Sequence, residues 1–232
     1  MAQQLQNITI AAPGFGGINT QDSPLMQSQA FAAIADNAII DKQGRIAARK
    51  GHEMQSTNGA GLLGTSNGIE HISEFVQQNG TKVVLSGGNL KIFTGLTTLV
   101  DTTPAGYTIT ANNWSNCTLN NRHYLFQRNH EPLVYDANTS TLSTIATHPS
   151  VAGVAPDAHV CLAAYGRVWA ADTINDKKTL YWSDSLNGLD WSTGTSGSLD
   201  LTTVWPSGYD VITAVAAHNN LLIIFGKQNI LI

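Results

Sequence analysis

The reactive side chains of this sequence do not fall into the spacings that chemistry needs. Seven histidines (His52, His71, His123, His130, His148, His159 and His218) form no H-x-x-x-H or H-E-x-x-H pair, the helical spacing that turns two imidazoles toward one metal ion. His159 and His218 fall in strand-like segments, where a hydrogen-bonded structural role is expected. Two cysteines, Cys117 and Cys161, are too few for a disulfide scaffold or a cysteine-built zinc site. They lie 44 residues apart at similar positions of a repeat described below, so they are expected near one another as buried free thiols. Gly14-Phe-Gly-Gly17 has the look of a phosphate loop. It lacks the preceding strand, the following Lys-Ser/Thr and the G-x-G-x-x-G spacing, and reads as a loop. No G-x-S-x-G nucleophile elbow occurs. Asp200 and Asp210 are loop carboxylates, but nothing pairs them as the acid and base of glycoside hydrolysis. The expectation is a protein without catalytic residues, cofactor or metal.

Two further clusters have more than one reading. Ser185-Leu-Asn-Gly-Leu-Asp-Trp191 resembles a degenerate Asp-box, the S-x-D-x-G-x-T-W hairpin turn of sialidase-type propellers, one residue short. That turn stabilises a fold and catalyses nothing, so Trp191 is expected to pack on the adjacent blade. The arginine triad and Tyr/Glu pair of sialidases have no counterpart on this chain. A carbohydrate- or receptor-binding module would instead need exposed aromatics, such as Trp114, Trp191 or Trp205, beside Asp or Asn. Arg45, Arg49, Lys50 and His52 form the one basic cluster. It is either a solvated strand-and-turn face or a surface that docks an acidic partner through bidentate arginine pairs. Four charges without interleaved aromatics give little affinity for nucleic acid. The four N-x-[ST] sequons, at Asn7, Asn113, Asn116 and Asn138, are chance occurrences in a chain rich in Asn and Thr.

The elements that would position these residues follow from composition and pattern. The chain has 232 residues, long enough for its own core, yet only 12% are charged, about half the usual share. Its net charge of −4 argues against a dedicated binder of DNA or anionic membranes. Apolar runs such as Leu221 to Phe225 are too short to span a bilayer. The start, Met1 to Gln6, lacks the basic and apolar regions of a secretory signal.

Residues 1–68 read as an N-terminal platform, mostly loop. Its best helix candidate is Gln27 to Ile40, with Phe31, Ile34, Ala35 and Ala38 at spacings of three and four, Ser23 as cap and Pro24 as first residue. A short helix followed by an extended piece fits equally, because Asn37 to Ile40 is a poor helix former. Asp41 to Gly44 reads as a turn, Arg45 to Arg49 as a short strand, and Gly59 to Gly68 as a flexible connector.

Residues 69–232 read as β-structure throughout. Four hairpins are legible: Lys82–Leu85 with Leu90–Phe93 about the turn Ser86–Asn89, Arg122–Phe126 with Pro132–Tyr135, Arg167–Ala171 with Thr179–Trp182, and Leu221–Phe225 with Asn229–Ile232. Each follows another strand and a tight turn, at positions 79–80, 120–121, 165–166 and 219–220. These turns are 41, 45 and 54 residues apart, the period of four-stranded propeller blades. The fold class expected is therefore all-β, with β-propeller-like repeats on a loop-rich platform and a β-sandwich as the alternative. Three full blades and part of a fourth do not close a ring, so the expectation is that the chain is the first part of a longer polypeptide, or that a partner completes the ring.

The platform carries a resemblance. Ala12-Pro-Gly-Phe-Gly-Gly-Ile-Asn-Thr-Gln-Asp-Ser-Pro-Leu25 and Asp41-Lys-Gln-Gly-Arg-Ile-Ala-Ala-Arg-Lys-Gly51 resemble the opening of tail-nozzle (tail tubular, or tail hub) proteins of short-tailed bacteriophages. Gly16, Gly17, Asn19, Ser23, Pro24 and Leu25 match a GG-x-N-x-x-x-S-P-L stretch. Asn37, Asp41, Gly44, Arg49 and Gly51 match an N-x-x-x-D-x-x-G-x-x-x-x-R-x-G stretch. Leu180-Tyr-Trp-Ser-Asp184 with Trp191 is similar to a recurring blade of that family. The resemblance implies a β-propeller on a small platform, assembled as a homo-oligomer, usually a hexamer, below the portal–adaptor complex and beside other tail proteins. It implies a virion protein assembled in the host cytoplasm, with no membrane contact, forming the tube through which genomic DNA passes without sequence recognition. An acidic balance suits such a lumen, because DNA slides along it without sticking. Family members continue well past the length of this chain. The residues expected at the subunit and adaptor interface are Gly16, Gly17, Asn19, Asp22, Pro24, Arg45, Arg49 and Lys50.

Overall fold

The computed structural model describes residues 16–23, 25–28, 30–40, 45–51, 69–88, 91–107, 114–148 and 150–232. Among these the chain is all β, apart from one 3-10 turn at Leu201–Thr203. The chain divides into two units, Met1–Met54 and Gln55–Ile232. The expected turn at 41–44 and connector at 59–68 lie outside the described residues.

In the first unit, β1 (Gly17–Ile18) pairs in parallel with β2 (Phe31–Ala32), and β3 (Ala38–Ile40) pairs antiparallel with β4 (Ile46–Ala48). None of the described residues of the helix expected over 27–40 is helical. Asn37 instead takes a left-handed φ of 53° at the entry to β3, and its carbonyl accepts from Arg49 N at 2.7 Å. The apolar spacing alone did not suffice, because helical stability in proteins comes from packing an apolar face. Here Ile34 is 78% exposed and Phe31 41%.

The second unit is a row of antiparallel meanders. The first sheet holds β5 (Ile69–Val76), β6 (Lys82–Gly88), β7 (Lys91–Thr94) and β8 (Val100–Asp101). The second holds β9 (Trp114–Leu119), β10 (Arg122–Gln127), β11 (Leu133–Asp136) and β12 (Thr141–Thr144). The third holds β13 (Ala158–Ala164), β14 (Arg167–Thr173), β15 (Thr179–Trp182) and β16 (Gly197–Asp200). The fourth holds β17 (Ile212–His218), β18 (Leu221–Gly226) and β19 (Ile230–Leu231).

Three of the expected turns are two-residue turns with both residues left-handed: Asn120-Asn121 (φ 49° and 59°), Tyr165-Gly166 (53° and 71°) and Asn219-Asn220 (47° and 62°). That geometry matches the twist of the strands it joins. The first turn is longer, with Gly80 N bonded to Gln77 O and Gln77 N to Thr81 O. Ser86-Gly-Gly does not turn, contrary to expectation, but continues β6. The indole of Trp114 lies against Gly87, where an added Cβ would sit 3.4 Å from the ring. Gln78 N donates to Asn121 Oδ1 at 2.8 Å, Leu186 joins Asn120 Nδ2 to Gly166 O, and Tyr165 Oη donates to Leu221 O at 2.8 Å, so these turns share one rim, as expected.

Alternation along each strand sends side chains to both neighbours. Phe75, Leu85 and Ile92 meet Leu125, Leu133 and Tyr135 between the first and second sheets. From the other face of the second sheet, Tyr124, Phe126 and Val134 meet Ala158, Val168, Ala170 and Leu189. Val160, Ala171 and Leu180 then meet Trp205, Ile212 and Ile224. The first strands of successive sheets adjoin, β5 beside β9, β9 beside β13 and β13 beside β17. These are propeller-like repeats, each sheet stacked on the next, and not the two layers of the sandwich alternative. The described residues form no closed ring.

Candidate interaction surface

The interface residues expected from the sequence lie in the first unit, and local chemistry explains their conformation. Asn19 organises the loop after β1. Its Oδ1 accepts from Gln21 N at 3.0 Å and Asp22 N at 3.3 Å, and its Nδ2 donates to Asp22 Oδ2 at 2.8 Å. Asn residues commonly fix such turns through their own side chains. Gln27 Nε2 ties the far side of the loop to Asn19 O at 3.0 Å. Gly16 is pressed against Phe31, whose ring carbon would lie 3.0 Å from an added Cβ, and Gly17 has a φ of 140° that other residues rarely adopt. Pro24 lies outside the described residues. The loop presents Leu25 and Met26 to solvent, 96% and 84% exposed.

Arg45 precedes β4, and Arg49 and Lys50 follow it; all three are exposed. Asn19 and Asp22 are thus brought together, whereas the glycines and the basic residues belong to separate two-stranded sheets. Sequence reasoning missed the apolar part of this surface. Ile18, Leu25, Met26 and Ile34 are each more than half exposed. The available signal was apolar residues in a stretch without a core of its own.

The remaining candidates serve the fold. Asp184 Oδ1 accepts from Thr195 N at 2.7 Å and Thr195 Oγ1 at 2.8 Å, and Asp190 Oδ1 from Thr193 N at 2.8 Å. The Thr195 bonds hold the Asp184 carboxyl, and the Thr193 hydroxyl followed by its amide hold that of Asp190, below the ordinary range. Trp191 donates to Gly188 O at 3.0 Å and lies edge-on to Phe126, ring centres 6.4 Å apart. The Asp-box-like turn therefore fastens the third sheet to the second, as expected. Gly188 is required there, since an added Cβ would fall 2.6 Å from the Tyr124 ring.

Asp200 caps the 3-10 turn through Thr202 N at 2.8 Å and pairs with Lys178 at 3.1 Å; the Thr202 bonds and then Lys178 hold its carboxyl down to about 2. Asp210 accepts from Val211 N, Lys227 N, Gln228 N and Asn229 N at 2.7–3.0 Å. Its burial favours the neutral acid, but these amides outweigh it and lower the carboxyl to about 2. A carboxylate held this firmly ionised is a poor proton donor.

Arg128 bridges the second and third sheets by pairing with Asp172, and His159 Nδ1 lies 3.5 Å from the same oxygen. His159 is thus the structural histidine expected, while His218 is exposed. Cys117 and Cys161 are free, half-buried and packed on one cluster. Contact with Cys161, followed by burial, pushes the Cys117 thiol up, which disfavours a reactive thiolate. Trp205 is 3% exposed, and Trp114 and Trp191 are half-buried, so none of the three is an open sugar platform. Among the described residues no three His, Cys, Asp or Glu side chains gather as metal ligands, and no helix is long and apolar enough to cross a membrane.

No family model matches the chain, and no curated protein matches it.

Proposed function

We propose that the chain is a structural subunit of a short-tailed phage tail nozzle or hub ring, joined to the adaptor and to its own copies through the first unit, around the channel for DNA ejection. The observation that carries this reading is the exposure of the stretch bearing the family-like motifs. Asn19 and its hydrogen bonds hold a defined loop, yet the loop offers Leu25 and Met26 to solvent. An ordered loop with exposed large apolar side chains is the signature of a surface covered by a partner. Arg49 and Lys50, after β4 of the same unit, are exposed as well and offer cationic contacts to an acidic partner. The row of propeller-like sheets and the acidic overall charge agree with a channel wall.

The test is native mass spectrometry of the protein with and without its adaptor. A six-fold assembly is expected from the unmodified chain. Arg45→Glu with Arg49→Glu is expected to abolish ring or adaptor assembly while the circular dichroism of the β unit is retained. Assembly unaffected by these charges would overturn the interface, and a monomer under all conditions would overturn the ring.

A further inference from the structure

The seam between the first and second sheets differs from the other two in what it buries. His123, 1% exposed, sits at its centre. Its Nδ1 meets Thr118 Oγ1 at 3.0 Å and its Nε2 meets Ser73 Oγ on β5 at 3.0 Å. Its ring stacks on Phe75, centres 5.5 Å apart at 20°. A second imidazole lies in the same seam. His71 of β5 stacks on Trp114 of β9, centres 5.6 Å apart at 21°. His71 Nε2 and Trp114 Nε1 are both buried without a hydrogen-bond partner.

The described surroundings supply no counter-ion. β5 contributes Ser73 and Phe75, β6 contributes Val83, Leu85 and Gly87, and β9 contributes Trp114 and Thr118. Tyr135 of β11 is the titratable side chain opposite His123 in the sheet; at the edge of the cluster Tyr107 binds Glu131 O, lies beside the His130 ring and feels the Glu131 charge, but neither His130 nor Glu131 is bonded to His123 or His71. Glu74 and Lys82 pair with each other on the outer face of the first sheet, and Arg122 pairs with Asp136 on the opposite face of the second. An imidazolium formed in this seam is therefore a buried charge facing hydroxyls, aromatic rings and a second imidazole. The other seams are built differently: the Arg128–Asp172 pair ties the second sheet to the third, and Asp210 caps the fourth through backbone amides.

We propose that this seam is an acid-labile joint, in which protonation of His123 and His71 detaches the first sheet while the remaining sheets stay stacked. Burial, and then the charge of His71, push His123 down to about 4, and burial also lowers His71. Both shifts favour the closed seam above the ordinary value of 6.5 and lose that contribution as pH falls toward about 4. Asp200 and Asp210, at about 2, remain ionised across that window. For His123 alone, linkage raises the seam's opening constant roughly 20-fold from pH 7 to pH 5. The inference is independent of the tail reading, because it concerns a joint within one chain.

Hydrogen–deuterium exchange of the full chain at pH 7 and pH 5, corrected for intrinsic exchange rates, reads this directly. Protection of β5 to β7 is expected to fall roughly 20-fold, while β13 to β16 keep theirs. His123→Gln, which retains amide partners for the hydroxyls, is expected to remove most of the dependence. Equal protection at both pH values overturns the proposal. So does an equal loss in every sheet, or an unchanged dependence in the variant. Should the variant not fold, NMR titration of the wild-type imidazoles decides: a His123 resonance titrating near 6.5 overturns the joint, and one titrating near 4 supports it.

Discussion

The two units share a chemistry of short strands, Asn-rich turns and few charges, yet they bury their side chains differently. In the second unit Phe126 is fully buried and edge-on to Trp191. In the first, Phe31 occupies a strand of two residues and remains 41% exposed. The difference is in what lies on either side. A four-stranded meander with a neighbour on each face sends successive residues of a strand alternately into one core and the other. A two-stranded pair has too little surface to do so. Local order and burial are therefore separable here: the Asn19 hydrogen bonds fix the loop after β1, and Leu25 and Met26 are still exposed.

The sharpest way to break this comparison is to truncate the two phenylalanines. Phe126→Ala is expected to destabilise the chain by about 3–5 kcal/mol through the cavity it leaves. Phe31→Ala is expected to change unfolding by less than about 0.5 kcal/mol and to appear only in assembly. Urea denaturation of both variants measures the gap, and equal losses would show that the first unit has a core of its own. A smaller effect concerns turns. Asn121 and Asn37 both hold a left-handed φ, 59° and 53°, and Asn121 also accepts from Gln78 N across the first seam. Asn121→Ala is expected to cost about 1–2 kcal/mol for the strained backbone, whereas Asn37→Ala is expected to leave the melting temperature of the second unit unchanged.

The pH dependence below the histidine window sharpens the comparison last. Asp200 and Asp210 have folded values near 2 against an ordinary 3.8. Their contribution is present above the ordinary value and is lost as pH falls from there toward 2. Asp210→Asn is expected to flatten the melting temperature against pH in that range. An unaltered slope would show that the turn of residues 226–229 is held by other means.

How much was legible depends on the range of the interactions. The meanders were readable because a hairpin is local: Asn120-Asn121 and Asn219-Asn220 accept left-handed φ at little cost, and the apolar strands on either side pair at once. Arg45, Arg49 and the Asn19 loop were legible as surface for the same reason. The false helix over 27–40 shows where local pattern fails, since spacing describes a face without showing that anything will cover it. Ser86-Gly-Gly was misread because Gly87 serves the neighbouring sheet, where Trp114 needs the room.

Sequence therefore determined the strand order, the turn geometry and the low-charge surface, all of which arise within about ten residues of chain. Tertiary structure decided which face of each strand is core, why Trp191 points at Phe126, and that His123 is locked between Ser73 and Thr118. The contacts of Trp191 with Phe126 and of His123 with Ser73 join residues 50 or more positions apart. No periodicity of one strand can specify its neighbour; only the stacking of one sheet on the next removes those side chains from water.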